Sequence, residues 1–417
     1  EVVRYVVCHE VGHSIGLRHN HRASQAYTTE QLRDPDFAAE HGPVASIMSY
    51  GRFNYVTQPG DGVERLTPLI GPYDYFAINW GYRPIPGVDS PQAEEETLNK
   101  WASAVNDNPW LAFGGEDAKA TVDPTVLTEN IGADRIESAR LGIANLERML
   151  DFLVPATTRE HEGFDLLSRM YRGIISNRTT WLTSAAKELG GVIEQRTLAT
   201  GEEPFKRVPA VRQREILVFL LENLRQGQVF LRPDIVNRIM PVNAIKPVMD
   251  SQNAILDAVL AGGVFKQMMD AAVLEPDKAY LLPEYLIDIK NSLFAELGDD
   301  QPSIDAIMRA LQRHFLTTIK RFLAAYENKL DPMLLGLLEG MGIPAEMVEF
   351  MLSTGQGTDF RSAARLMLRE LRGELAAAQE RAAEITTRAH LEDMLQEVEL
   401  ILSGNPAAPG AASTSPF

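Results

Sequence analysis

Eleven residues near the start of the chain have the types and spacing that chemistry needs: His9-Glu10-Val11-Gly12-His13-Ser14-Ile15-Gly16-Leu17-Arg18-His19. His9 and His13 are four apart, so on a helix they share a face and can grip one metal ion. Glu10 lies beside that face, placed to take a proton from a metal-bound water. Gly16 can adopt the left-handed conformation that ends a helix. The chain then turns back, and His19 can reach the same ion from a loop. Three imidazoles with one open position describe a catalytic zinc site rather than a closed structural one. Neutral imidazoles leave the ion most of its charge, which lowers the pKa of bound water to about 7. Glu10 would act as general base on that water and pass the proton to a leaving amine. The Zn2+ would polarise the scissile carbonyl and stabilise the oxyanion. The bland alternative is a helix with two surface histidines and a third by chance.

This string, HExxHxxGxxH, is similar to the zinc signature of the metzincin metallopeptidases. Those enzymes also carry a tight downstream turn whose methionine lies beneath the metal, and Ser46-Ile47-Met48-Ser49-Tyr50 resembles it. The resemblance implies that Met48 is the Met-turn residue and that Tyr50 stabilises the transition state. The alternatives are a core methionine and a packing aromatic. The family's helix after the Met-turn is similar to Tyr73–Tyr82. By that likeness Asp74 holds the turn's backbone; otherwise it is an exposed acidic residue at the positive end of a helix. Arg18-His19-Asn20, Arg52-Phe53-Asn54-Tyr55, Ile70-Gly71-Pro72-Tyr73-Asp74 and Gly190-Gly191-Val192 look like a large bacterial family of exported zinc-dependent metalloproteases. Periplasmic or secreted localisation and a protein or peptide substrate are implied by that likeness alone. Metzincins place a β-sheet before the zinc helix, and its edge strand binds substrate. Only eight residues precede His9. The chain is therefore expected to be the C-terminal portion of a longer protease, with the N-terminal β-sheet missing.

Stepping outward to the elements, residues 1–17 read as the zinc helix, with Val2, Val3, Val6 and Val7 as its apolar stripe. Residues 18–70 read as loops with short helical turns. Residues 71–82 read as a short buried helix opened by Pro72, and Ser90-Pro91 as the start of another reaching about Ala104. From Asp134 helical periodicity dominates, roughly over 134–153, 159–189, 209–225, 251–261, 280–297, 302–328 and 359–402. Residues 191–208 alternate like a hairpin around Thr200-Gly201. Ala364, Leu368, Leu371, Leu375, Ala378, Ala382, Ile385 and Ala389 form a four-three seam along one long helix. The expected fold is mainly α: a partial metzincin catalytic domain at 1–88, an irregular connection at 89–133, a helical accessory domain at 134–402 and a disordered tail at 403–417.

Composition sets the bounds. The 417 residues are 45% hydrophobic and 23% charged, a globular balance. A net charge of −17 disfavours a general nucleic-acid binder, which needs clustered Lys and Arg. One cysteine excludes an intrachain disulfide framework. No apolar run approaches the roughly 18 residues of a membrane span. Cys8 reads as a buried small apolar residue, and His21 and His41 either touch substrate or zinc or are exposed loop histidines, the commoner case. Arg52 and Asn54 line the cleft or make loop hydrogen bonds. The leading function is a zinc-dependent endopeptidase. The alternatives are a helical interaction or scaffold protein with a vestigial zinc site, and a zinc hydrolase of a non-peptide amide.

Overall fold

The computed structural model describes residues 1–116, 123–195, 203–325 and 358–403. The fold is mainly α, and among the described residues the only strands form one small hairpin. The chain divides into two compact units, Glu1–Val208 with Val229–Pro247, and Pro209–Gln228 with Val248–Phe417.

In the first unit, helix α1 (Val2–Ser14) buries Tyr5, His9 and Gly12, which recur at helical spacing on one face. The expected Val2, Val3, Val6 and Val7 stripe lies on the opposite, exposed side. The helix stops because Gly16 takes φ +89°. Leu17 N–H then donates to Gly12 O and Gly16 N–H to His13 O, both at 3.0 Å, the paired bonds of a Schellman ending. Two short helices follow, α2 (Thr29–Arg33), capped reciprocally by Thr28 and Gln31, and α3 (Pro35–His41). Helix α4 (Pro72–Tyr82) begins at the expected proline but buries only Asp74. Its aromatic side chains do not form a core. Tyr73, Phe76, Trp80 and Tyr82 line an open cavity of about 410 Å3 together with Leu17, Arg18 and Phe113, and Tyr75 is exposed. Helix α5 (Pro91–Ala102) follows Ser90, whose side chain makes no capping bond.

Helices α6 (Arg135–Thr157) and α7 (Asp165–Ala185) form a helical hairpin. Asp134 caps α6 by accepting from Ile136 N–H and Glu137 N–H. Gly142 lets Trp181 lie on bare helix backbone, and Tyr55 stacks on that indole at 4.2 Å. Asn145 Nδ2 donates to the carbonyls of Tyr55 and Thr57 at 2.9 Å. These bonds stitch α6 to the segment after the Met-turn. The boundary expected at 133/134 therefore does not separate compact units: α6, α7 and the hairpin belong with the metal helix. Strands β1 (Val192–Glu194) and β2 (Phe205–Arg207) pair antiparallel, Ile193 opposite Lys206. The proposed turn at Thr200-Gly201 lies outside the described residues. Helix α9 (Pro233–Ile239) completes this unit, and the sequence periodicity did not mark it.

The second unit is a helical bundle of α8 (Ala210–Arg225), α10 (Lys246–Val259), α11 (Gly262–Leu274), α12 (Leu282–Leu293), α13 (Ala306–Ala325), α14 (Thr358–Arg381) and α15 (Ile385–Ser403). The single helix expected over 359–402 is two, breaking at 382–384. The seam from Ala364 to Ala382 is buried as expected, whereas Ile385 and Ala389 are exposed. At the break Glu384 accepts from the hydroxyls of Thr386 and Thr387, and Thr387 also accepts from Ile304 N–H, so polar side chains occupy the positions where the seam would continue and α15 restarts in a new register. Its buried face is Thr387, His390, Leu391, Met394 and Val398. The tail beyond Ser403 lies outside the described residues. Among the described residues no helix is long and apolar enough to cross a membrane.

Candidate metal centre

Helix α1 presents His9 and His13 one turn apart, and the Schellman turn at Gly16 sends the chain back so that His19 meets them. One ligand atom from each of the three lies within 4.8 Å of the other two. The ring centroids of His9 and His13 are 4.8 Å apart, and those of His13 and His19 4.6 Å. His9 is buried, His19 half-buried and His13 exposed, so the cluster opens to solvent on one side.

The outward nitrogens settle the protonation pattern. His9 Nδ1 lies 2.9 Å from Ile47 O, His13 Nδ1 2.9 Å from Leu17 O, and His19 Nδ1 2.6 Å from Glu116 Oε1. Each partner is an oxygen acceptor, so each Nδ1–H donates and each Nε2 keeps its lone pair. His13 Nε2 and His19 Nε2 face one another at 3.1 Å. Two lone pairs at that separation repel unless a cation sits against both. Two nitrogens on one tetrahedral zinc with bonds of 2.0–2.1 Å would be about 3.3 Å apart. The donor set therefore fits a zinc ion. Burial also lowers the His9 pKa, helped by His13 and His19 and opposed by the Ile47 carbonyl. That keeps the imidazole neutral, as a ligand must be.

Beneath the cluster lies the turn at Ser46–Tyr50. Met48 is fully buried, and a Cβ built on Gly12 would stand 2.4 Å from its sulfur. The thioether therefore occupies the space that the glycine leaves on the underside of α1. Asp74 is buried, not exposed, and it bonds both the turn and the start of its own helix. Its carboxylate accepts from Gly71 N–H at 2.8 Å at the start of its own helix, and from Ser46 Oγ at 2.6 Å and Ile47 N–H at 2.7 Å in the turn. Burial pushes its carboxyl above the ordinary range while these three donors oppose the rise. Gly71 has no room for a side chain, since a Cβ would stand 2.2 Å from Ala45 O. Tyr50 stacks on His9 at 5.4 Å and lies 4.6 Å from the His19 ring. The Arg52 guanidinium sits over its outer face at 4.8 Å. Glu10 is exposed on α1, and its charge reaches His9.

A family model described as Met-zincin matches residues 1–301. The chain belongs to the Met-zincin family. No curated protein and no solved structure matches it. Met-zincin membership implies, at that level, a zinc-dependent metallopeptidase: a hydrolase with a peptide substrate and a bound metal, usually zinc.

Within this Met-zincin chain several residues sit differently from expectation. His21 is buried rather than exposed, stacked on His19 at 5.3 Å. His41 ends α3 in an aromatic cluster with Phe37, Tyr27 and Trp110. Cys8 is half-buried against the Tyr5–Ile47–Met48 cluster. Asn54 is buried, with its side chain bonded to Leu32 O and Val56 N–H. Arg52 pairs with Glu129 at 2.7 Å. Three contributors have no role that the sequence assigns, although Asn20 stands in the Arg18-His19-Asn20 string. Tyr5 donates to Ser49 O at 3.0 Å, and burial raises its pKa to about 12. Asn20 N–H donates to Met48 O, and its side chain bonds Ala112 O and Gly114 N–H. Glu116 meets His19 from a segment far along the chain. No spacing rule flags a lone Tyr, Asn or Glu at such separations.

Proposed function

We propose that the chain is a zinc-dependent endopeptidase in which His9, His13 and His19 hold the metal and Glu10 is the general base. The observation that carries this reading is the set of three Nδ1–H groups, each tied to an oxygen, which leaves one ligand nitrogen of each imidazole within reach of a common ion. When bound, zinc would supply a Lewis acid that acidifies water and polarises a carbonyl.

The protein's own groups do the rest. The Glu10 carboxylate takes the proton of the attacking water and delivers it to the departing amine nitrogen. Its exposure on α1 suits a group that must meet substrate. The Tyr50 phenol, held between His9, His19 and Arg52, is placed to donate to the oxygen that gains charge. The Ile47 and Leu17 carbonyls fix the orientation of His9 and His13. Met48 and Asp74 support the site from beneath.

The test is Glu10→Gln, assayed on a peptide library by mass spectrometry with zinc content measured in parallel. Glu10 loss is expected to lower kcat/KM by roughly 10²- to 10⁴-fold with zinc retained. Cleavage at the wild-type rate would end the proposal. A zinc-loaded wild type that cleaves no peptide would favour the scaffold alternative.

A further inference from the structure

We propose that Glu116 is the positioning residue of the third imidazole: its carboxylate locks His19 in the metal-binding tautomer and sets how tightly the ion is held. This rests on the reading that His9, His13 and His19 form the metal site.

The three imidazoles are not oriented alike. His9 and His13 donate to backbone carbonyls that belong to the turns beside them. His19 alone donates to a charged side chain, at 2.6 Å and across 97 residues of sequence. A carboxylate accepts more strongly than a carbonyl, and it makes the opposite ring nitrogen a better electron-pair donor. His21 Nε2 stands 3.8 Å from the same oxygen, beyond hydrogen-bond distance. His19, His21 and Glu116 lie near enough to one another to hold an ion of their own, a case that the binding stoichiometry separates from orientation of His19.

Glu116 is delivered by a built strap. Asn20 Nδ2 donates to Ala112 O at 3.0 Å, and Gly114 N–H donates to Asn20 Oδ1 at 3.1 Å. His21 N–H returns to Gly114 O at 2.8 Å. At Gly114 and Gly115 the strap packs too closely to leave easy room for a side chain. A Cβ on Gly114 would stand 2.5 Å from Val126 and 3.0 Å from Arg22, and one on Gly115 3.1 Å from His19 O. Phe113 stacks on Tyr73 at 5.9 Å. The residues flanking the third ligand thus hold the segment that orients it.

The test measures zinc affinity by chelator competition for the wild type, Glu116→Gln and Glu116→Ala, with the melting of each metal-free protein and the binding stoichiometry. The Glu116 side chain is 59% exposed, so metal-free stability is expected to be unchanged. Glu116→Ala is expected to weaken zinc by about 10- to 100-fold. Glu116→Gln keeps an acceptor oxygen without the charge and should fall between. Equal affinity in all three proteins overturns the proposal and leaves the three-histidine site standing. So does an affinity loss matched by an equal loss of metal-free stability, which would make the residue merely structural. A wild type that binds two equivalents, one of them lost in Glu116→Ala, would make Glu116 a ligand of a second ion and also overturn it. A wild type that binds no stoichiometric zinc removes the three-histidine site and this proposal together.

Discussion

Two glycines, one inside α1 and one just past its end, do different work, and the difference is measurable. Gly16 has no atom within 4 Å of a built Cβ, but its φ is +89°. An alanine there meets only a backbone penalty, of about 1–2 kcal/mol. Gly12 has ordinary helical geometry but no room, because the Met48 sulfur lies 2.4 Å from where a Cβ would stand. Gly12→Ala forces a buried methionine to move and should cost about 1–3 kcal/mol. Combining it with Met48→Ala should recover part of that, with a favourable coupling of about 1–3 kcal/mol, because the clash disappears with the sulfur. Urea unfolding of the two singles and the double checks this, and strictly additive effects would contradict the packing account. Gly16 is legible from one sequence because its role is conformational and local. Gly12 is not, since its constraint comes from a partner in another loop. Tyr5, Asn20 and Glu116 were hidden for the same reason.

Among the elements, the Met-turn depends on α4. Asp74 satisfies the Ser46 hydroxyl, the Ile47 N–H and the Gly71 N–H at once. Asp74→Ala leaves three buried donors without an acceptor, each costing about 1–3 kcal/mol. The loss should also reach the metal, because Ile47 O orients His9. Asp74→Asn keeps one carbonyl oxygen for the two N–H groups and should cost roughly half as much. Stability and zinc affinity measured together decide the matter: if Asp74→Ala loses neither, the turn is not held by this carboxylate. The boundaries of α1 and α4 could be read from sequence because Gly16 and Pro72 punctuate them. The break between α14 and α15 could not, because the apolar seam runs across it. At the break Glu384, Thr386 and Thr387 bond to one another and Thr387 accepts from Ile304 N–H, contacts that periodicity does not register. The exposed aromatic face of α4 was misjudged because apolar content alone does not distinguish a core from a cavity wall.

For the molecule as a whole, each compact unit has its own response to acid. In the second unit His390 is buried, and its Nε2–H donates to Gln312 Oε1 at 2.7 Å while Nδ1 accepts from Arg313 at 3.0 Å. Burial lowers its pKa to about 4, helped by Arg313 and Arg309. The folded pKa is below the unfolded value of 6.5, so the unfolded chain binds the extra proton. The stability contributed by the neutral ring is therefore complete above about pH 6.5 and is lost as pH falls toward 4. At pH 5 the loss should be about 2 kcal/mol by linkage. Burial pushes the metal-free His9 and His21 in the same direction in the first unit, so the units must be read separately. The sequence provides the means. All four tryptophans, Trp80, Trp101, Trp110 and Trp181, lie in the first unit, whereas helices fill both. Tryptophan fluorescence thus follows the first unit, and far-ultraviolet circular dichroism follows both. Replacing His390 with Gln removes the titrating group. Between pH 7 and 5 it should flatten the decline of the circular dichroism transition and leave the fluorescence transition unmoved. If the substitution leaves both pH profiles as they were, His390 does not carry the acid sensitivity of the helical bundle.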